Sequence, residues 1–308
     1  MCGSLAGTAT DWSATLALRG AGGEPVDLRR TVDGHGLTTL PPMTPDADQR
    51  GFGIVLRLPR GRPLAVRVRE ASSGRVRVSG PATSAPRRRA ALDAVRHVLR
   101  LDEDLSAFYE LVLADDDLSW ACTGAGRMMR SQTVFEDVVK TICTTNCAWS
   151  GTVRMVNGLV DGLGEQAIGG GRAFPTPAAM AQAPESFYAQ DVRAGYRGPY
   201  LRALAADVAS GALDLEAMAA APRGELPDAA LEERLLALAG VGPYAAAHIM
   251  MLMGRHSRLI LDSWTRPTYA KLRGRKQTDQ QILRRFKRYG DHAGLAFWLM
   301  LTRPWVAD

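Results

Sequence analysis

The most constraining feature of this 308-residue sequence is a glycine turn inside residues 238–250, L-A-G-V-G-P-Y-A-A-A-H-I-M. Gly240 and Gly242 permit backbone angles closed to other residues, and they let two backbones approach closely. Pro243 suits the first turn of a helix, where its missing N–H needs no partner. The stretch therefore predicts a compact hairpin of helix, turn and helix, with Val241 filling the gap between the helices.

The second helix of this hairpin predicts an anion site, because the free amides and positive end of a helix start attract a group such as a phosphate. The glycine pattern alone is weak evidence, since ordinary helix–helix turns also use it. Twenty residues after Gly242, Asp262 follows the apolar run 259–261. An acid at that place can simply cap the next helix, so the residues alone leave both interpretations open.

The N-terminal third of the chain is predicted to form an antiparallel sheet. Alternating and β-branched residues separated by Gly, Pro and Asp clusters indicate strands over 12–18, 52–58, 64–68 and 75–78. Residues 88–101 have helical spacing. We therefore predict a first domain over residues 1–101, in which one helix packs against the sheet.

Strand signals end near residue 102, and the remainder predicts an all-α domain over 102–308. Thr133 is a candidate N-cap with Glu136 at the capping-box position. The predicted fold class is thus α+β. The predicted helices cover 102–114, 133–145, 150–162, 176–183, 198–208, 227–238, 243–254, 262–271, 278–288 and 291–301.

Charge is concentrated near the end of the chain. The formal net charge is +6, and eight lysines and arginines lie between Lys271 and Arg288 against the single acid Asp279. A polyanionic partner and a solvated face both fit this pattern. The sequence contains neither a run of about 18 apolar residues nor a signal-peptide pattern. We therefore expect no membrane association and a cytoplasmic, nucleoid-associated protein.

The four cysteines, Cys2, Cys122, Cys143 and Cys147, fit neither a disulfide framework nor a four-thiolate cluster. We expect reduced thiols and no iron–sulfur cluster. Cys143 and Cys147 would share one face of a helix; packing against the core is the favoured interpretation, with half of a metal site as the alternative.

The hairpin followed by L-D-S-W at 261–264 resembles the helix-hairpin-helix plus aspartate motif of the base-excision DNA glycosylase superfamily. Other segments agree in order with its 8-oxoguanine branch and extend the resemblance over roughly residues 90–305. They are Gly124–Arg127 through Phe135-Glu136, Ile142–Asn146, Phe174–Thr176 and Gly195–Arg197. The N-terminal sheet is similar to the extra domain of the 8-oxoguanine and bacterial alkyladenine branches.

This resemblance implies a DNA glycosylase in which Asp262 is the catalytic carboxylate. A carboxylate in a low-dielectric pocket can stabilise the positive charge that develops on the deoxyribose and can orient a water. Tyr244 falls where bifunctional members carry a lysine, and a phenol cannot form a Schiff base. The resemblance therefore implies a monofunctional enzyme that flips a damaged base from double-stranded DNA, and Lys140 is not expected to replace the missing amine.

The resemblance also implies roles for further residues. Asn146 would enter the vacated space in the duplex, Tyr196 would wedge beside the opposite base, and Arg197 would hydrogen-bond that base. A helix cap, a core aromatic and a surface charge are the respective alternatives. The hairpin residues Gly240, Val241 and Gly242 would contact DNA. The main-chain carbonyls of Leu236, Leu238 and Val241 would hold a structural Na⁺ or K⁺, while catalysis would need no cofactor.

The expected base pocket contains Tyr244, Trp264, Phe297 and Leu301, with Trp298 as a further aromatic. Tyr244 could instead only pack, and Phe297 and Trp298 could belong to the core. Phe297 and Leu301 replace the polar base-reading pair of the 8-oxoguanine enzymes, and Gly151 replaces their second arginine. An apolar, aromatic pocket suits electron-poor alkylated bases, with oxidised bases as the alternative. We expect a monomer. A non-catalytic DNA-binding or damage-sensing protein, a bifunctional glycosylase-lyase and an RNA or nucleotide glycosidase stay open as alternatives.

Overall fold

Five strands form one antiparallel sheet in the computed structural model, which describes residues 11–46, 50–72 and 74–306. Four of them confirm the predicted strands. The three-residue strand was not predicted, because it is too short to show an alternating pattern. The strands are β1 (Trp12–Ala17), β2 (Met43–Pro45), β3 (Gly51–Leu56), β4 (Leu64–Ser72) and β5 (Arg75–Gly80), in the spatial order β1-β5-β4-β3-β2.

One face of the sheet packs against two helices, α1 (Leu28–Asp33) and α2 (Ala85–Val98). Apolar residues from this face and from both helices form one buried cluster, which Met129 of the helical part joins. Helix α2 confirms the predicted helix, starting three residues earlier. Helix α1 was missed because six residues are too few to establish a helical period.

The rest of the chain is helical, which confirms the α+β class. Each of the ten predicted helices is present, and the six-residue α8 is an addition. The helices are α3 (Ser106–Val112), α4 (Val134–Thr144), α5 (Trp149–Leu163), α6 (Pro177–Gln182), α7 (Arg197–Ser210), α8 (Leu215–Ala220), α9 (Asp228–Leu236), α10 (Pro243–Leu252), α11 (Thr265–Leu272), α12 (Asp279–Phe286) and α13 (Ala293–Val306). None of these described helices has the length and apolarity needed to cross a membrane.

The predicted cap of α4 is half confirmed. The Thr133 hydroxyl accepts the amide of Glu136 at 3.2 Å, as an N-cap should. The Glu136 carboxylate does not complete a capping box. It accepts a hydrogen bond from Lys140 Nζ at 2.6 Å, one turn further along the helix.

Buried arginines connect the sheet to the helical part. The Arg127 guanidinium, whose side chain is fully buried, forms an ion pair with the buried carboxylate of Glu24. Arg100 donates to the carbonyl of Met128 at 2.9 Å and to that of Leu252 at the end of α10. These charge-assisted bonds to main-chain oxygens fix how α10 lies against the sheet.

The basic stretch from Lys271 to Arg288 is partly neutralised by acids that follow α3. Asp117 lies 3.7 Å from Arg273 and 3.5 Å from Arg285. Asp115 lies 2.7 Å from Arg288. The net charge of this region is therefore smaller than the stretch alone indicated, which weakens the interpretation of the stretch as a polyanion site.

Candidate active site

The glycine hairpin joins α9 to α10 as predicted. Gly240 has φ of 86°, and a Cβ atom there would lie 2.9 Å from Tyr200 Cδ2, so this position requires glycine. Val241 is buried between the helices with 6% of its surface exposed. Apart from neighbouring residues of its own segment, no described residue has an atom within 4 Å of the position that a Cβ of Gly242 would take. The backbone at the start of α10 is thus open to a ligand.

Asp262 lies at the start of α11 and caps it through one oxygen only. Its Oδ1 accepts the amides of Trp264 and Thr265 at 2.8 and 2.6 Å, while its own amide donates to the Thr265 hydroxyl at 2.8 Å. No described residue donates a hydrogen bond to Oδ2. Asp262 can therefore cap the helix and face a ligand at the same time. Two amides hold Oδ1 at the positive end of the helix, while Oδ2 has no partner among the described residues.

Tyr244 is the second residue of α10, in its first turn, and points its hydroxyl at α4. The hydroxyl lies 3.2 Å from Thr144 Oγ1. Thr144 donates its own proton to the carbonyl of Thr141 at 2.7 Å, so Tyr244 is the donor in the pair. Burial raises the pKa of Tyr244, and the charge of Asp262 raises it further. The phenol therefore stays neutral and keeps its lone pairs for a ligand.

A cavity of about 1080 Å³ lies between the N-terminal part and the helical part, and both Asp262 and Tyr244 line it. Its walls come from five places in the chain. They are residues 33–40 after α1, the C-terminal half of α4 with residues 146–152, the inner face of α10, residues 261–266, and α13. A pocket of this size and mixed character is typical of a small-molecule or base-binding site.

Three tryptophans form the aromatic side of this cavity. The ring centroid of Trp264 lies 5.8 Å from that of Trp298 and 5.1 Å from that of Trp305. The indole N–H of Trp298 donates to the carbonyl of Gly34 at 3.0 Å, which ties α13 to the residues after α1. Trp264 lines the cavity as predicted.

The assignment of Phe297 and Leu301 to the pocket is corrected by the structure. Phe297 is fully buried, with its ring centroid 5.0 Å from that of Phe286 and 5.6 Å from that of Tyr269. Leu301, four residues later on the same face of α13, is buried in the same apolar cluster. The cavity side of α13 begins one residue later, at Trp298, because successive helical residues point about 100° apart.

Two histidines, His35 and His248, lie side by side in the wall, with ring centroids 6.3 Å apart. Burial lowers the pKa of His35 to about 4 and that of His248 to about 3. Both rings are therefore neutral at neutral pH. His35 Nε2 lies 2.6 Å from the carbonyl of Met129 and donates to it. No described residue hydrogen-bonds His248, and its Nδ1 is buried without a partner.

The wall supplied by α4 contains a buried charged group. Lys140 is ion-paired with Glu136 at 2.6 Å, and both side chains are only 4% exposed. The adjacent Asp137 accepts the amide of Ser131 at 2.9 Å. Burial raises the pKa of Asp137 to about 7, and the nearby Glu136 charge adds to this shift.

Asp137 should make stability depend on pH. Its raised pKa means that between about pH 4 and 7 the unfolded chain has released a proton that the folded chain retains, so stability falls as pH rises. An Asp137→Asn variant keeps the acceptor for Ser131 without the charge. We expect it to exceed the wild type by about 1–3 kcal/mol in free energy of unfolding at pH 8, and by nothing below about pH 4. Urea titrations at both pH values measure this, and the surface variant Asp161→Asn serves as control. Equal stability at pH 8 would contradict the burial argument.

Asn146 and Tyr196 lie at the mouth of the cavity. The Asn146 amide donates to the Tyr196 hydroxyl at 3.2 Å, and Asn146 has φ of 46°. Tyr196 is 51% exposed. Both side chains are thus accessible beside the cavity, and their roles in DNA binding stay predictions.

Arg197 differs from its predicted role in this conformation. It is 7% exposed, and its guanidinium donates to the carbonyl of Thr145 and to the Thr145 hydroxyl. The guanidinium also stacks on the Tyr196 ring at 4.4 Å. Arg197 therefore holds the turn that presents Asn146, and the surface-charge alternative is excluded as well.

The structure offers few ligands for metals. Among the described residues no three His, Cys, Asp or Glu side chains meet in a group that could hold a metal ion. Cys143 is buried, while Cys147 lies beyond the end of α4 and lines the cavity. The two thiols therefore do not share a helix face as predicted, and Cys2 lies outside the described residues. At the hairpin the Leu238 carbonyl accepts the Val241 amide at 3.1 Å, which leaves it one lone pair.

The cavity also contains residues that sequence reasoning did not assign to it, chiefly Asp33, His35, Trp149 and Trp305. The exposed Trp149 and Trp305 carried a signal, since large exposed aromatics are uncommon away from binding sites. Asp33 and His35 carried none, because they come from the other end of the chain.

The arrangement of the sheet, the glycine hairpin and the surrounding helices is shared with solved structures of other proteins, three of which are described below. MBOgg1 in complex with a low affinity DNA ligand gives a TM-score of 0.72 at 18% identity, covering 94% of each chain. The 3-methyladenine DNA-glycosylase from Archaeoglobus fulgidus gives 0.71 at 19% identity, covering 96% of this chain and 99% of that one.

The 8-oxoguanine glycosylase/lyase from Clostridium acetobutylicum, in its apo-form, gives a TM-score of 0.70 at 19% identity, over 94% of this chain and 95% of that one. No family model matches the sequence, and no curated protein does. The shared fold therefore spans nearly the whole chain, including the N-terminal sheet.

Proposed function

We propose that the protein is a monofunctional DNA glycosylase that removes a damaged base from double-stranded DNA. The observation that carries this proposal is the position of Asp262, which lines a cavity large enough for a flipped nucleotide beside the open backbone of the glycine hairpin. The fold is shared with proteins described as an 8-oxoguanine glycosylase/lyase and a 3-methyladenine DNA-glycosylase. The hairpin would bind the phosphate backbone while the target nucleotide turns out of the stack into the cavity.

In the proposed reaction, Asp262 stabilises the positive charge on the sugar as the N-glycosidic bond breaks. The base leaves with the bonding electrons. A water attacks the sugar carbon, and its proton passes to the carboxylate or to solvent. Oδ1 of Asp262 is occupied by two backbone amides, so the partner-free Oδ2 is the oxygen available to the sugar or the water.

We further propose an electron-poor, alkylated base as the substrate, with an oxidised base as the alternative. Stacking on Trp298 or Trp264 favours a cationic ring. The low pKa values of His35 and His248 keep them uncharged, so these two residues do not repel such a ring. Mass spectrometry of bases released from globally alkylated and globally oxidised DNA tests this. Release of no base from either would refute the enzymatic function and favour a damage-sensing protein.

The remaining hairpin and surface roles are also proposed. Gly240, Val241 and Gly242 would contact a phosphate, and the carbonyls of Leu236, Leu238 and Val241 would hold Na⁺ or K⁺ beside it. Carbonyl oxygens suit such a hard cation. Asn146 would enter the space that the base vacates, with Tyr196 beside the opposite base and Arg197 holding the turn behind them. A cytoplasmic, nucleoid-associated monomer fits this role.

The wild-type protein should leave the DNA strand intact after base release. Tyr244 cannot form a Schiff base, and the cavity amine of Lys140 is held in its ion pair with Glu136. Product strands on a denaturing gel should therefore break only after hot alkali, and borohydride should trap no covalent complex. Trapping that disappears in a Lys140→Met variant would instead establish a bifunctional enzyme.

A further inference from the structure

Positive charge is concentrated in the N-terminal sheet more strongly than near the C-terminus. Residues 50–100 contain thirteen arginines and only two acids, Glu70 and Asp93. Their net charge of +11 exceeds the +6 of the whole chain. A segment with this imbalance creates a strong local field, so where its arginines point decides what the field can attract.

Four of these arginines lie on the same face of the sheet. Arg67 and Arg69 on β4 and Arg75 and Arg77 on β5 alternate with valines that are buried on the other face. We call these four residues the arginine face. Neighbouring strands lie about 4.8 Å apart and alternate residues about 6.7 Å apart, so the four side chains form a small flat grid.

The arrangement is unfavourable for the sheet itself. Arg69 and Arg77 are directly opposite each other on antiparallel strands, where like charges are destabilising. Among the described residues, the only carboxylate within ion-pair distance of the arginine face is Asp46, 3.7 Å from Arg67 and 3.1 Å from Arg69. Arg77 has no such partner there. Arg75 and Arg77 therefore carry positive charge that no described carboxylate pairs within ion-pair distance.

The arginine face lies across the sheet from the cavity. The opposite face packs against α1 and α2, and the residues that follow α1 line the cavity. At the other end of β4 the outer face is covered, since Ala65 packs with Val55 against Ala167 and Ala173. All four arginines have exposed or half-exposed positions. The arginine face and the cavity therefore lie on different sides of the sheet.

We propose that the arginine face binds the phosphate backbone of a second duplex DNA segment, separate from the one at the cavity. This rests on the proposed function only in the choice of duplex DNA as the ligand. A guanidinium group can form bidentate hydrogen bonds with two oxygens of a phosphate. Contacts to phosphates alone carry no sequence information and weaken steeply with salt. The face would let one protein molecule bridge two duplexes.

The test compares two variants with the same change in charge. Arg75→Gln/Arg77→Gln removes half of the arginine face, and Arg88→Gln/Arg89→Gln removes two exposed arginines of α2. Energy transfer between two differently labelled 12-base-pair duplexes measures bridging. We expect the wild type and the α2 variant to bridge at low salt. The sheet variant should lose bridging about tenfold, with the slope of log K against log salt reduced by about 2.

Two further readouts keep the result unambiguous. The melting temperature of the sheet variant should equal or exceed that of the wild type, because a like-charge pair is removed. Base release measured on the same samples should be unchanged. Absence of wild-type bridging, equal loss in both variants, or stronger binding of single-stranded RNA or polyglutamate than of duplex would overturn the proposal. Bridging without base release would instead refute the proposed function alone.

Discussion

Replacing Asp262 with asparagine is expected to slow base release at least about 100-fold and to leave DNA binding unchanged. The asparagine oxygen can accept the two amides that now reach Asp262 Oδ1, so the start of α11 should persist. What the variant lacks is the negative charge that opposes the charge developing on the sugar. Single-turnover assays on a duplex that carries the released base measure the rate, and gel shifts on the same duplex measure binding.

Asp33→Asn is the matched control, since Asp33 is another carboxylate in the cavity wall. We expect its rate to stay within about threefold of the wild type, because the Asp33 charge is paired with Arg29 at 3.8 Å and such partly exposed pairs contribute little energy. Undiminished release by Asp262→Asn would contradict the catalytic assignment. Equal losses of the base-release rate in both variants would mean that Asp262 acts only as one of several negative charges in the pocket.

The largest expected effect on stability comes from Arg127→Met. This change leaves the buried Glu24 carboxylate without its ion-pair partner, and an unpaired buried charge costs about 3–5 kcal/mol. Glu24 also accepts the amide of Leu105 at 2.8 Å, so the carboxylate cannot easily turn toward solvent. Urea denaturation should show a lower midpoint for the variant than for the wild type.

A second substitution separates lost charge balance from lost packing. In Arg127→Met/Glu24→Gln the amide oxygen can still accept from Leu105, and the unpaired charge is gone. We expect this double variant to recover more than half of the lost free energy of unfolding. If it were no more stable than Arg127→Met, packing around residue 127 would account for the loss.

Helices and strands could be predicted from the sequence wherever the repeating spacing of apolar residues extended over enough residues. The helices from α4 to α13 were predicted except for the six-residue α8, and Pro243 and Thr133 mark helix starts by their own chemistry. Helix α1 and strand β2 could not be predicted, because three to six residues do not establish a period. Their positions depend on contacts with the sheet rather than on local preference.

Site residues that belong to one short sequence motif could be predicted, whereas site residues contributed from a distant part of the chain could not. Asp262 and Tyr244 follow from a motif with short spacing. Phe297 was placed in the pocket although Trp298 faces it, because an alignment error of one residue turns a helix position by about 100°. His35 reaches the wall from two hundred residues away, and no sequence period reports such a contact.

The division of the cavity wall between residues 33–40 and the helical part has a thermodynamic consequence. A ligand in the cavity contacts both residues 33–40 and the helical part, so it binds only while the two are packed together. By mass action the ligand therefore lowers the population in which residues 33–40 separate from the helical part. Amide hydrogen exchange in residues 33–40 should therefore slow when the cavity is filled. Exchange at this segment would report occupancy by any ligand, whether or not chemistry follows.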